Sequence, residues 1–138
     1  MVDLNKTFND YSEFLNEIYS DPDSIYRCDK KSAIEAMENY IATEGERNGG
    51  FLGNLCDKLK SDIEVVLLAC ETGLTEILDA DKKLLLDEDF IVSLSHVDKN
   101  ILDYLKENLS NESDKNLYFN ELSNNEVKKV LEYLKIYE

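Results

Sequence analysis

The stretch that decides the fold is Leu59-Lys-Ser-Asp-Ile-Glu-Val-Val-Leu-Leu-Ala69, which is followed by a second copy, Leu84-Leu-Leu-Asp-Glu-Asp-Phe-Ile-Val-Ser-Leu94. A shift of about 25 residues places Asp62 on Asp87 and Val66 on Ile91. A fixed period of this size is typical of stacked helical units, in which no unit buries its apolar face alone. The pattern therefore predicts an all-α protein built from helical pairs.

An earlier segment fits the same pattern less well. Asp29 falls on Asp62 and Ala33 on Val66, with a longer spacing caused by the glycine-rich loop at residues 44–50. We read this segment as a degenerate first unit. The expected architecture is a single domain over residues 1–138, a compact bundle of roughly six to eight short helices. Two or three repeat-like pairs cover residues 29–109, and flanking helices lie in residues 1–28 and 110–138.

Helix boundaries are predicted from residues whose side chains satisfy the free N–H groups of a first turn. The helix predicted from Asp62 to about Thr72 is apolar almost all round, so we expect it to be central and buried. Gly73 suits the left-handed position that would end this helix. The predicted caps are Thr7, Asp29, Asp87 and Asp98, with capping boxes at Ser61-x-x-Glu64 and Ser123-x-x-Glu126.

The pattern Leu-x-x-Asp-x-Glu-Val-Val-Leu-x-Ala, present from Leu59 to Ala69, resembles a family of short tandem helical repeats of unknown function. In that family a Gly and a leucine-rich second helix follow, and Gly73 with Leu74 and Leu78 supplies them here. The second unit departs from the family pattern, since Asp98 stands where the Gly belongs. The resemblance covers about residues 29–109 and implies a fold; its motif residues are caps and core positions, so it implies no catalytic residue.

Charge is the strongest global feature. Thirty acidic residues against fifteen basic ones give a formal net charge of −15. A surface this negative repels phosphates and anionic lipids, which argues against nucleic acid and membrane as direct ligands. It favours encounter with a basic protein, such as a nuclease or another protein that handles nucleic acid. The alternative is that the charge serves solubility alone.

The cysteines, Cys28, Cys56 and Cys70, are odd in number and lack a paired spacing. They indicate reduced, mostly buried thiols in a cytoplasmic protein. No apolar run is long enough for a membrane span, and the N-terminus lacks the apolar core of a signal peptide.

Groups for catalysis or metal binding are scarce. His96 is the single histidine, and no orienting partner is evident for it as a base. Asp79-x-Asp81 and Asp87-Glu-Asp89 superficially resemble calcium ligands, but the loop spacing fails. We therefore expect no enzyme activity, no cofactor and no metal site.

The remaining candidate is a set of acidic residues that equivalent positions of stacked units would project on one side as a ridge. The expected function is a non-enzymatic acidic module, a small inhibitor of the immunity or anti-defence type that docks on a basic surface of a partner. The alternative is a helical scaffold module that binds through an apolar groove. The predicted partner-binding residues of the acidic ridge are Glu71, Glu76, Asp79, Asp81, Asp87, Glu88 and Asp89.

Overall fold

A computed structural model describes residues 8–43, 50–110, 119 and 121–137. Within these ranges the chain is all-α and contains no strand, which confirms the predicted fold class. The seven α-helices in these described ranges are α1 (Tyr11–Ser20), α2 (Lys30–Ala42), α3 (Asp57–Lys60), α4 (Ile63–Thr72), α5 (Glu88–Val97), α6 (Lys99–Ser110) and α7 (Asn124–Tyr137). Short 3-10 helices cover Ile25–Cys28, Leu52–Asn54, Leu74–Asp79 and Lys82–Leu86.

An aspartate precedes each of the three helices that the sequence pattern aligns. Asp62 accepts a hydrogen bond from the N–H of Val65 at 3.2 Å and starts α4. Asp87 accepts one from the N–H of Asp89 at 3.0 Å and starts α5. Asp29 occupies the same position before α2, although its carboxylate accepts from the hydroxyl of Ser32. A short helical turn lies just before each aspartate, so the three segments share one local design.

Two boundary predictions are wrong. Asp62, not Ser61, caps α4, and the Ser61 hydroxyl instead donates to the carbonyl of Asp57 at 2.9 Å. Gly73 ends α4 in an extended conformation, with φ 177, and not in the left-handed one. The box at Ser123 and Glu126 is confirmed, because each backbone N–H donates to the other side chain, at 2.9 and 3.1 Å. Thr7 lies outside the described residues.

The core lies where α2, α4 and α5 pack side by side and α6 and α7 cover α5. Burial of large apolar side chains such as Phe90 is worth roughly 2–3 kcal/mol each before the entropy of ordering is subtracted. The largest of the fully buried side chains are Phe14, Phe51, Phe90 and Phe119.

Helices α2 and α4 run in the same direction. Lys30, at the start of α2, forms ion pairs with Asp62 and Glu64 at the start of α4, at 3.0 and 3.3 Å. Burial opposes ionisation of Asp62, but the bonds from Lys30 and from the N–H of Val65 outweigh it and lower its pKa. The two helices are therefore aligned from their first turns, with their later turns side by side.

The cysteine expectation is wrong for two of the three residues. Cys28 and Cys56 form a disulfide, with their Cα atoms 5.3 Å apart, that joins the turn before α2 to the turn before α3. The backbone N–H of Cys56 also donates to the carbonyl of Arg27 at 2.9 Å. Cys70 is free and buried, and burial raises the pKa of its thiol to about 12. The cysteines therefore do not indicate a reducing compartment.

Among the described residues, no helix combines the length and the apolar character that crossing a bilayer requires.

Candidate partner-binding surface

Six of the seven predicted acidic residues occupy three separate places on the fold. Asp79 is the last residue of the Leu74–Asp79 turn, and Asp81 follows two residues later. Both line a polar depression of about 490 Å³. Asp57, Lys60 and Glu121 line the same depression, so acidic and basic groups are mixed there. Asp81 is half-buried, and its carboxylate accepts a hydrogen bond from the N–H of Lys83. It therefore caps the Lys82–Leu86 helix.

The second place is the first turn of α5. Asp87, Glu88 and Asp89 are all exposed there. Glu88 accepts a hydrogen bond from the hydroxyl of Tyr137 on α7 at 2.7 Å, and this bond raises the pKa of Tyr137. Carboxylates in a first turn also interact favourably with the positive end of the helix. These acids therefore have local structural roles, whatever else they contact.

The third place contains Glu71, near the end of α4. It lies beside Val97, the last residue of α5, whereas Glu88 begins that helix. A ten-residue helix spans about 14 Å from its first residue to its last. Glu71 and the acids at the start of α5 therefore sit at opposite ends of α5, and the seven predicted residues do not form one continuous ridge.

Glu76 is removed from any surface ridge. Its side chain is 2% exposed, and its carboxylate accepts hydrogen bonds from the backbone N–H groups of Phe51 and Leu52, at 2.7 and 3.3 Å. Burial raises the pKa of Glu76, against the opposing effect of these hydrogen bonds. The carboxylate holds the Leu52–Asn54 turn against the Leu74–Asp79 turn. Its role is internal, and the expectation that it faces a partner is wrong.

Lys82 is a second buried ionisable residue that the sequence did not reveal. Its ammonium donates to the backbone carbonyls of Leu78 and Ala80, and it lies 5.8 Å from the centre of the Phe119 ring. Burial lowers the pKa of Lys82, while nearby acids led by Glu121 oppose that shift. Because its donors are used on two carbonyls at the end of a turn, Lys82 acts as a structural cap.

An open groove between α2 and α4 is the surface that the sequence failed to identify. It has a volume of about 330 Å³, and the end of α5 closes one side. Its apolar lining consists of half-buried side chains, and its rim consists of exposed carboxylates. The apolar residues are Ile34, Leu67, Leu68 and Val97, and the acids are Glu38, Glu64 and Glu71.

One signal for this groove was present in the sequence. Ile34, Glu38 and Ile41 recur at i, i+4 and i+7, so they form one stripe along α2. Helical periodicity alone predicts that Ile34 and Ile41 share one apolar face with Ala33, Met37 and Tyr40. In the structure Ala33, Ala36, Met37 and Tyr40 face the core, while Ile34 is half-buried and Ile41 is 38% exposed. The charged residue in the middle of the stripe marked it as a surface.

Other candidate groups are not brought together. His96 is exposed in the last turn of α5. Across the residues that the structure describes, no three His, Cys, Asp or Glu side chains are grouped as metal ligands would be.

Comparison with known proteins returned no matching family model, no matching curated protein and no matching solved structure.

Proposed function

We propose that this protein is a non-enzymatic acidic binding module that docks on a basic surface of a partner protein, as a small inhibitor of the immunity or anti-defence type. The observation that carries the proposal is the set of exposed carboxylates that remain unpaired. Glu38, Glu71 and Asp89 are exposed and form no ion pair with any other described residue. With a net charge of −15, such groups are available to a partner's cations.

The chemistry of the docking is the replacement of phosphates by carboxylates. Lys and Arg side chains that normally hold a nucleic-acid backbone form charge-assisted hydrogen bonds with carboxylates as well. A nuclease or another protein that handles nucleic acid is therefore the proposed class of partner, and neither nucleic acid nor a membrane is a direct ligand. The Cys28–Cys56 disulfide favours an oxidising compartment over the cytoplasm that the sequence predicted.

The alternative function, a helical scaffold module that binds through an apolar groove, is favoured by one observation. The α2–α4 groove exposes part of Ile34, Leu67 and Leu68. A scaffold would bind mainly by burying these side chains, so its affinity would depend little on salt.

The test is a pull-down from lysate of the source organism or its host, with nuclease added, at about 50 mM and about 500 mM salt. A basic partner that survives nuclease and is lost at high salt supports the acidic inhibitor. Retention of the same partner at both salt concentrations contradicts it and favours the scaffold.

Two charge reversals make the test quantitative with that partner. Glu88→Lys with Asp89→Lys changes the start of α5, and Glu38→Lys with Glu71→Lys changes the groove rim by the same charge. Because long-range attraction acts on the whole acidic surface, both variants should slow association at low salt by about tenfold. Association rates unchanged in both folded variants would refute acidic docking.

A further inference from the structure

The α2–α4 groove has the form of a site for a partner side chain. Its apolar lining comes from three helices: Leu67 and Leu68 of α4, Ile34 of α2 and Val97 of α5. A volume of about 330 Å³ falls at the lower limit of ordinary small-ligand pockets, so it accepts one or two large apolar side chains.

The rim of the groove selects for positive charge. Glu38 and Glu71 are exposed and unpaired within the described chain, whereas Glu64 is already paired with Lys30. The last turns of α2 and α4 contain no basic residue. Helix C-termini carry a partial negative charge that a cation normally offsets. Since α2 and α4 run in the same direction, the partial negative charges of both helix ends lie toward the Glu71 end of the groove.

The walls of the groove also restrict the backbone of the occupant. Both walls are helices, whose backbone N–H and C=O groups bond within their own helix. An extended peptide would therefore find no strand edge here to pair with, and a helix satisfies its own backbone groups. A second copy of this chain is a poor occupant, because it would bring another net charge of −15 to an acidic rim.

We propose that the α2–α4 groove binds an amphipathic helix of a partner protein, with apolar side chains against Leu67, Leu68 and Ile34 and with Lys or Arg side chains on Glu38 and Glu71. This inference rests on the proposed function and makes it specific, because it identifies one surface and one form of basic partner.

The probe is a synthetic peptide of about 18 residues, with Leu at i, i+4, i+7 and i+11 on an Ala/Lys background, labelled for fluorescence anisotropy. A control peptide of the same composition has its leucines distributed around the helix. The first peptide should bind at least tenfold more tightly than the control, and amide shifts in a ¹⁵N spectrum should concentrate on α2 and α4. Equal binding by both peptides would mean that charge alone is recognised; the proposed function would stand and the groove inference would fail.

Matched protein variants localise the contact. Glu38→Gln with Glu71→Gln should weaken peptide binding about tenfold, while Glu88→Gln with Asp89→Asn removes the same charge elsewhere and should change it by less than about threefold. Leu67→Gln should weaken binding in a protein whose circular dichroism and melting curve still show a folded state. If Leu67→Gln does not fold, the Glu38/Glu71 pair and the spectral map decide the question.

Three outcomes overturn the inference. They are equal losses in the two charge-matched variants, absence of binding at about 1 mM peptide, and a dimer in sedimentation whose α2–α4 contact the peptide does not displace. The last outcome would assign the groove to a second copy of the chain.

Discussion

Glu71 and Glu76 are five residues apart in the sequence, but one region leaves its carboxylate exposed to solvent and the other buries it. Glu71 lies on the rim of the α2–α4 groove, exposed and without an ion pair among the described residues. Glu76 is buried in a junction that we define as residues 50–56 together with Glu76 and Cys28. There its carboxylate holds two backbone N–H groups. Glutamate in one region is free to meet a partner, and in the other it holds the chain together.

The difference between the regions is set by what surrounds each carboxylate. In the junction two backbone hydrogen bonds compensate in part for the water that the buried carboxylate has lost. On the groove rim the carboxylates stay hydrated, so they need no hydrogen bond from the protein. Loss of a junction group should therefore reduce stability, while loss of a rim group should reduce binding. The following predictions test this contrast, starting with the largest effect on stability.

Reduction of the Cys28–Cys56 disulfide should lower the free energy of unfolding by roughly 3 kcal/mol, because the bond restricts the unfolded chain over a sequence separation of 28 residues. Urea unfolding with and without reductant measures this loss of stability. In the control variant Cys70→Ala, the reductant should cause the same loss. Alkylation of the unfolded, unreduced protein should modify one thiol. Three modified thiols would contradict the disulfide and support the reduced cysteines that the sequence predicted.

Glu76→Ala should lower the free energy of unfolding by about 2 kcal/mol, because two buried N–H groups lose their acceptor. Glu71→Ala, on the exposed rim, should change it by less than about 0.5 kcal/mol. Chemical unfolding of both variants in one buffer gives the comparison. Equal effects of the two substitutions would remove the distinction between junction and rim.

The Glu76→Gln variant should gain stability relative to the native protein as pH rises above 4.5, the ordinary pKa of a glutamate side chain. Burial raises the pKa of Glu76, so the folded state favours the protonated carboxyl. Its contribution is full below the unfolded pKa and is lost as pH rises through the folded pKa. Unfolding curves from pH 4 to pH 8 follow the difference, with Glu71→Gln as the reference that removes a surface charge. A difference independent of pH would show that Glu76 does not titrate differently on folding.

The fold was predictable from the sequence because its signals are local. Apolar periodicity and the carboxylates of Asp62 and Asp87 act within one or two turns, and they predicted an all-α chain with those aspartates at helix starts. The error at Ser61 arose from competition between adjacent residues that can both cap a helix. The structure uses the second of them.

The two regions were less predictable because they depend on distant contacts. The N–H groups that Glu76 holds lie 24 and 25 residues earlier in the chain, and no pattern in the sequence pairs them. The same applies to Cys28 and Cys56. The groove escaped notice for another reason: Ile34 and Ile41 are apolar, and the face of α2 that turns inward was decided by packing of smaller residues such as Ala33 and Ala36.

The burial of Lys82 has a consequence for covalent modification of this chain. Its ammonium donates to the carbonyls of Leu78 and Ala80, and the residue is 7% exposed. Because Lys82 is buried and its ammonium already donates to two carbonyls, an acetyltransferase or an amine-reactive reagent should modify it more slowly than an exposed lysine. The neighbouring Lys83, which is exposed, offers its amine to solvent and to Glu126. Adjacent lysines of this chain should therefore differ in reactivity, with Lys83 acetylated faster than Lys82.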